Sequence, residues 1–220
     1  MGRRGAGYGS ENHLWVYRSS LSNVLDGAIT KVAGISSGLA WLYPDPSRPD
    51  QTEPEGMDFV PNARIRSGWK AFWPQTGSQQ HWDGIARAAG EWILIEAKAN
   101  AVEFVGAPCG ASFRRPTEAG VTSSRQRIEK ALNKTKKALG VHRDYSWLGS
   151  YYQYANRLAS LSFLLDNGEK ARLVFIHFCG DSFPDRRPCP QSRQEWEQLF
   201  DARRLTLGLP EDHPLYKVVH

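Results

Sequence analysis

The chain reads as an α/β protein, a mixed sheet flanked by helices. Three observations carry this reading. Apolar runs at 80–86 and 91–99 flank the turn residues Ala88, Ala89 and Gly90, as in an antiparallel hairpin. Two helical patterns follow, over about 123–139 and 150–165. A further apolar run, 171–179, then returns the chain to the sheet.

In chain order, residues 1–10 are rich in Gly and Arg and are expected to form a flexible arm ahead of a single domain over 11–220. Residues 14–40 read as helical, with Leu21, Val24, Leu25, Ala28, Ile29 and Val32 spaced along them. Residues 43–56 form a loop broken by Pro44, Pro46, Pro49 and Pro54. The segment 80–86 is the first hairpin strand and 91–99 the second, mostly buried. Residues 104–120 are irregular. Ser123 or Ser124 caps the next helix and Gly140 closes it. The following helix stops at Asp166-Asn167-Gly168. The run 171–179 is β-branched and aromatic, with Leu173, Val174, Phe175, Ile176 and Phe178. A polar loop over 182–193, a short helix over 195–203 and an edge strand over 215–219 complete the chain.

The 220 residues carry a net charge of +5 and the pI is about 9.2, which favours an anionic partner. No apolar run reaches the roughly 18 residues a membrane span needs. No apolar stretch follows the N-terminal charges, so a secretory signal is not expected. Cys109, Cys179 and Cys189 lie far apart, without Cys-x-x-Cys spacing. Reduced thiols and a cytoplasmic location are the expectation.

The chemistry concentrates in Asp83 and in Glu96-Ala97-Lys98. Alternation along a strand puts Glu96 and Lys98 on one face and Ala97 on the other. A carboxylate and an ammonium at the end of an apolar strand are costly to bury unless paired, metal-bound or solvated. Phosphodiester hydrolysis would use such a set. Asp83 and Glu96 would hold Mg²⁺, or Mn²⁺ in its place, with the Ala97 carbonyl as a third oxygen. Lys98 would orient the attacking water or neutralise charge developing at phosphorus.

These residues resemble the PD-(D/E)XK nuclease superfamily. The flanking Phe72-Trp73-Pro74, Gln80-His81-Trp82-Asp83, Glu96-Ala97-Lys98-Ala99 and Tyr152-Gln153-Tyr154-Ala155-Asn156-Arg157-Leu158 are similar to a poorly characterised bacterial branch of it. The resemblance covers roughly 70–180. It implies a restriction-endonuclease-like α-β-β-β-α-β core and Mg²⁺-dependent cleavage, usually of DNA. By the same implication Asp83 and Glu96 are metal ligands, Lys98 is catalytic, and Gln153 on the later helix sits beside them. One departure is that Trp82, not Pro, precedes Asp83.

Around this centre, Gln153 and Arg157 share a helix face, and Arg157 is read as a phosphate contact. Tyr154, Leu158, Leu161 and Leu165 form the apolar face that packs on the sheet. Lys130, Lys134 and Lys137 recur at helical spacing and could follow a nucleic-acid backbone. Glu103 is assigned to the periphery. His81 points away from Asp83, His177 reads as a core histidine, Asp181 as a turn residue, and Trp82 and Trp92 as core. An acid from the first helix would complete the site, with Glu11 and Asp26 both open. The expected activity is a metal-dependent nuclease acting on DNA. The alternatives are a non-catalytic nucleic-acid-binding protein on the same fold and an RNA-directed nuclease. A homodimer would suit duplex cutting, although no interface pattern stands out.

Overall fold

The computed structural model describes residues 5–77, 79–111, 123–183 and 187–220. The first helical stretch is two helices, α1 (Ser10–Ser20) and α2 (Ser22–Ala33), divided at Leu21 and closed by Gly34 in the left-handed region at φ 63°. Strand β1 (Ala40–Tyr43) ends where the Pro-rich loop begins, and α3 (Ala63–Phe72) follows that loop. Neither is legible in the sequence: β1 has only four residues, and α3 holds Gly and aromatics inside a basic segment.

The hairpin is β2 (Gly84–Ala88) and β3 (Glu91–Lys98). It turns on Ala89 and Gly90 at φ 49° and 81°. Positive φ at both central positions matches the right-handed strand twist of a two-residue turn. The first strand therefore starts later than the expected 80–86. Its lead-in pairs with the Pro-rich loop instead, through a bridge between Glu55 and His81.

Helices α4 (Ala101–Val105), α5 (Ser124–Ala138) and α6 (Tyr152–Asp166) then cross to β4 (Ala171–His177). The expected irregular stretch 104–120 is partly α4, and the rest of it from 112 lies outside the described residues. Helix α7 (Arg193–Leu207) follows, and Pro214–Val218 forms a 3₁₀ turn, η1. The expected final strand is thus limited to a parallel bridge from Leu173 to Val219. Pro214 at the first turn favours the tight helix over extension.

The sheet order is β1-β2-β3-β4, with the first three strands antiparallel and β4 parallel to β3. This is an α/β arrangement with a mixed sheet between helices. Alternation along β3 sends Ile93, Ile95 and Ala97 to a core with Leu14, Leu25 and Ile29 of α1 and α2. Trp92 and Leu94 face the larger core, with Ile128 of α5, Leu158 and Leu161 of α6, and Trp196 of α7. Glu96 and Lys98 continue the Trp92–Leu94 face, so both emerge beneath α6. Among the described residues no helix is long and apolar enough to cross a membrane.

Candidate active site

Register sets the site. Gly84 pairs with Ile95, so Asp83, one residue earlier, lies beside Glu96 at the end of the hairpin. The Ala97 N–H donates to Asp83 Oδ2 at 2.6 Å, fixing that carboxylate across the two strands. Lys98 Nζ donates to Glu96 Oε1 at 2.5 Å and to Gln153 Oε1 of α6 at 2.9 Å. Asp83, Glu96, Lys98 and Gln153 therefore converge from two strands and one helix, as the sequence reading expected.

Arg157 corrects one expectation. It is 4% exposed, and its Nε donates to Glu96 Oε2 at 2.6 Å. Its other nitrogens donate to Asn156 Oδ1 and the His81 carbonyl, and the guanidinium lies 4.7 Å over the Trp82 ring. A guanidinium enclosed in this way cannot reach out to a nucleic-acid phosphate. It acts as the counter-charge of Glu96, because one carboxylate against one ammonium leaves its second oxygen unsatisfied in the core.

The electrostatics follow from this placement. Burial, then the adjacent Glu96 charge, raises the Asp83 carboxyl to about 8. Burial acts the same way on Glu96, but Arg157 and Lys98 outweigh it and hold that carboxyl below its ordinary range. Burial works against the Lys98 ammonium, yet Glu96 and Asp83 keep its pKa above the ordinary lysine value. Burial thus favours the neutral form of Asp83, while Glu96 is held ionised between two cations, Lys98 and Arg157.

A carboxylate absent from the expected site joins it. Glu53, from the Pro-rich loop, lines a recess with Glu11 of α1 and with Asp83. Burial, then the Glu11 charge, raises the Glu53 carboxyl. Nothing periodic marks Glu53 in the sequence, since its position depends on how a four-proline loop folds back. Of the two acids left open, Glu11 reaches this recess. Asp26 accepts from Trp41 Nε1 at 2.8 Å and stands 3.8 Å from Arg18.

The remaining residues take other places. The His81 side chain stands 3.6 Å from Glu53 and 3.3 Å from Glu55. Glu103 accepts from the Ala99 N–H at 3.1 Å, just past the end of β3. Asp181 is more than a turn residue: it is 5% exposed and accepts from the Gly9 N–H and from His13 Nε2, tying α1 to the end of β4. Trp82 and Trp92 are buried as expected. Lys130, Lys134 and Lys137 are exposed on α5, and Lys134 pairs with Asp166 at 2.7 Å.

The donors fit a hard divalent cation in kind. Asp83 and Glu96 offer carboxylate oxygens, which would repel one another if both were ionised without a cation between them. Among the described residues, no three His, Cys, Asp or Glu side chains gather closely enough to hold a metal ion by themselves. No family model matches the chain, and no curated protein or solved structure matches it.

Proposed function

We propose that the protein is a metal-dependent nuclease that hydrolyses nucleic-acid phosphodiester bonds, with DNA as substrate. The observation that carries this reading is the convergence of Asp83 and Glu96 beside Lys98 and Gln153. The strand order and senses, with helices before the hairpin and across to β4, agree with the α-β-β-β-α-β core that the resemblance to the PD-(D/E)XK superfamily implies. Two carboxylates suffice for Mg²⁺, which keeps several waters and shares its remaining positions with substrate phosphates. Bound there by Asp83, Glu96 and the Ala97 carbonyl, Mg²⁺ or Mn²⁺ would polarise the phosphodiester and lower the pKa of a water.

The chain's own groups have distinct roles. Asp83, held by the Ala97 N–H, would hold a cation in its ionised form, its proton passing to solvent. Lys98 is protonated in the metal-free protein, so it serves as an electrostatic group: its ammonium faces the charge that builds at phosphorus and orients the water. Gln153 holds that ammonium in place from α6. Arg157 keeps Glu96 ionised.

The test is digestion of plasmid, linear duplex, single-stranded DNA and single-stranded RNA, with Mg²⁺ or Mn²⁺ and with EDTA. Metal-dependent cleavage of DNA is expected, lowered on the order of 10²–10³-fold in Lys98→Ala. Wild-type protein that cleaves nothing, or a Lys98→Ala variant that cleaves equally well, overturns the proposal. A second reading, a non-catalytic nucleic-acid binder, draws on the fact that Lys98 and Arg157 already occupy both oxygens of Glu96. Salt-sensitive DNA binding without cleavage would favour it.

A further inference from the structure

One partly buried cation has no role in the site described above. Helix α7 faces the core through Trp196, Phe200, Arg203 and Leu207, at steps of four, three and four residues. Arg203 thus occupies a core position in an otherwise apolar stripe. Its guanidinium lies 3.7 Å over the Tyr154 ring, 4.9 Å from Phe104, 5.3 Å from Phe200 and 5.6 Å from Phe175. Nε is sealed from solvent without a hydrogen-bond partner. Among the described residues no carboxylate pairs with it. The adjacent Arg204, by contrast, pairs with Glu211 at 3.2 Å.

A guanidinium packed among rings with one nitrogen sealed and no anion beside it is unusual, because a partly desolvated charge favours a counter-charge. Stacked rings cover the flat faces of a guanidinium and leave its N–H edge, the part that fits an oxyanion with two parallel hydrogen bonds. Arg203 as a whole is only partly buried, so it retains access to solvent. The location is equally specific. Phe175 pairs with Glu96 and His177 with Lys98 across β3 and β4, and paired residues share a sheet face. Tyr154 is the neighbour of Gln153 on α6. The ring-lined Arg203 therefore stands one strand away from the Glu96–Lys98 pair, on the same side of the sheet. His177, whose Nε2 is also sealed without a partner, has its ring 4.7 Å from that of Phe200.

We infer that Arg203 is a phosphate-binding group, taking a backbone phosphate of the nucleic-acid strand beside the one that meets Lys98. This rests on the nucleic-acid reading for its ligand, while the anion chemistry stands on the Arg203 surroundings alone. The test compares wild type with Arg203→Met, which keeps the length and apolar stem of the side chain among the rings. In phosphate-free buffer the variant should melt no lower than wild type, since it loses an uncompensated charge. Added inorganic phosphate should raise the melting temperature of wild type and not that of the variant. Binding of a short DNA duplex in EDTA, where no cleavage competes, should weaken about tenfold or more in the variant. The slope of log K against log salt should fall by about 0.9.

Duplexes with a 5′-phosphate and a 5′-hydroxyl separate the phosphate's sources. Equal weakening of both by the variant identifies an internal backbone phosphate, as inferred. Weakening confined to the phosphorylated end overturns the backbone assignment. The inference also fails if phosphate stabilises both proteins alike or neither, or if Arg203→Met binds DNA like wild type. It fails too if the variant is destabilised equally with and without phosphate, the result expected of a purely structural arginine. Phosphate binding that depends on Arg203 in a protein that cleaves nothing would defeat the nuclease proposal and leave the anion site standing.

Discussion

At Glu96 two cations share one carboxylate. Lys98 takes one oxygen and Arg157 the other, at 2.5 and 2.6 Å, with Glu96 only 3% exposed. Removing one partner from such a group leaves a buried charge half-compensated. Arg157→Met is therefore expected to destabilise the fold by about 3–5 kcal/mol, measured by urea unfolding. Arg157→Lys should recover only part of the loss, because an ammonium cannot reproduce the guanidinium fork to Glu96, Asn156 and the His81 carbonyl. Asp83 responds to pH in the opposite sense from a salt-bridged carboxylate. Its carboxyl rises from 3.8 to about 8 on folding, through burial and the Glu96 charge. Its contribution to stability is thus complete below about 4 and is lost as pH rises through about 8. In EDTA the melting temperature should fall between about pH 4 and 8, and Asp83→Asn should flatten that decline. A decline of the same size in Asp83→Asn would rule out Asp83 as its source. His177 acts on the acid side: burial, then Arg203 and Lys98, push it down to about 3. The stability tied to its neutral form is present above its ordinary value of 6.5 and lost as pH falls toward 3.

Among the elements, α5 and α6 determine how the site is presented. Helix α5 starts in a capping box, with the Ser123 side chain accepting from the Gln126 N–H and Gln126 answering to the Ser123 N–H. Ser123→Ala should cost about 1 kcal/mol of unfolding free energy. Cleavage at saturating DNA should be unchanged, since Asp83, Glu96, Lys98 and Gln153 all lie on other elements. Helix α6 carries Gln153 and Arg157 at i and i+4, one touching Lys98 and the other Glu96. The i,i+4 spacing told that these two residues share a face. It could not tell that the face is buried, because Arg157 in solvent and Arg157 under a strand have the same spacing. The same limit applies to Arg203, whose place on the apolar stripe of α7 becomes visible only once Trp196 and Phe200 are seen against the sheet. The hairpin was more legible. Its apolar runs and Gly90 located the turn, although the strand began at Gly84 and not at Gln80, where the lead-in met the Pro-rich loop.

Over the whole molecule, charge and site lie on connected elements. Lys130, Lys134 and Lys137 are exposed along α5, which packs beside α6. Replacing all three with Gln should lower the salt slope of DNA binding by up to about 0.9 per phosphate contact removed. A fluorescence titration of a duplex across a salt series measures it. An unchanged slope would remove α5 from the nucleic-acid surface. Lys134 has a counter-charge in Asp166, so its share should be the smallest of the three.

Alternation and local chemistry determined much by themselves: the α/β class, the hairpin, the apolar crossover helices, and the shared strand face of Glu96 and Lys98 with Asp83 on the neighbouring segment. These follow from short-range periodicity, which a strand or helix imposes whatever surrounds it. Gln153 as their partner was only what the family resemblance implied. Tertiary structure alone decided that Arg157 is the counter-charge of Glu96, that Glu11 rather than Asp26 reaches the recess, that Glu53 stands beside Asp83, and that Arg203 lies enclosed by rings. Each of these depends on desolvation and on charges brought together from distant parts of the chain. Burial and long-range electrostatics are properties of the packed molecule, and residue spacing does not encode them.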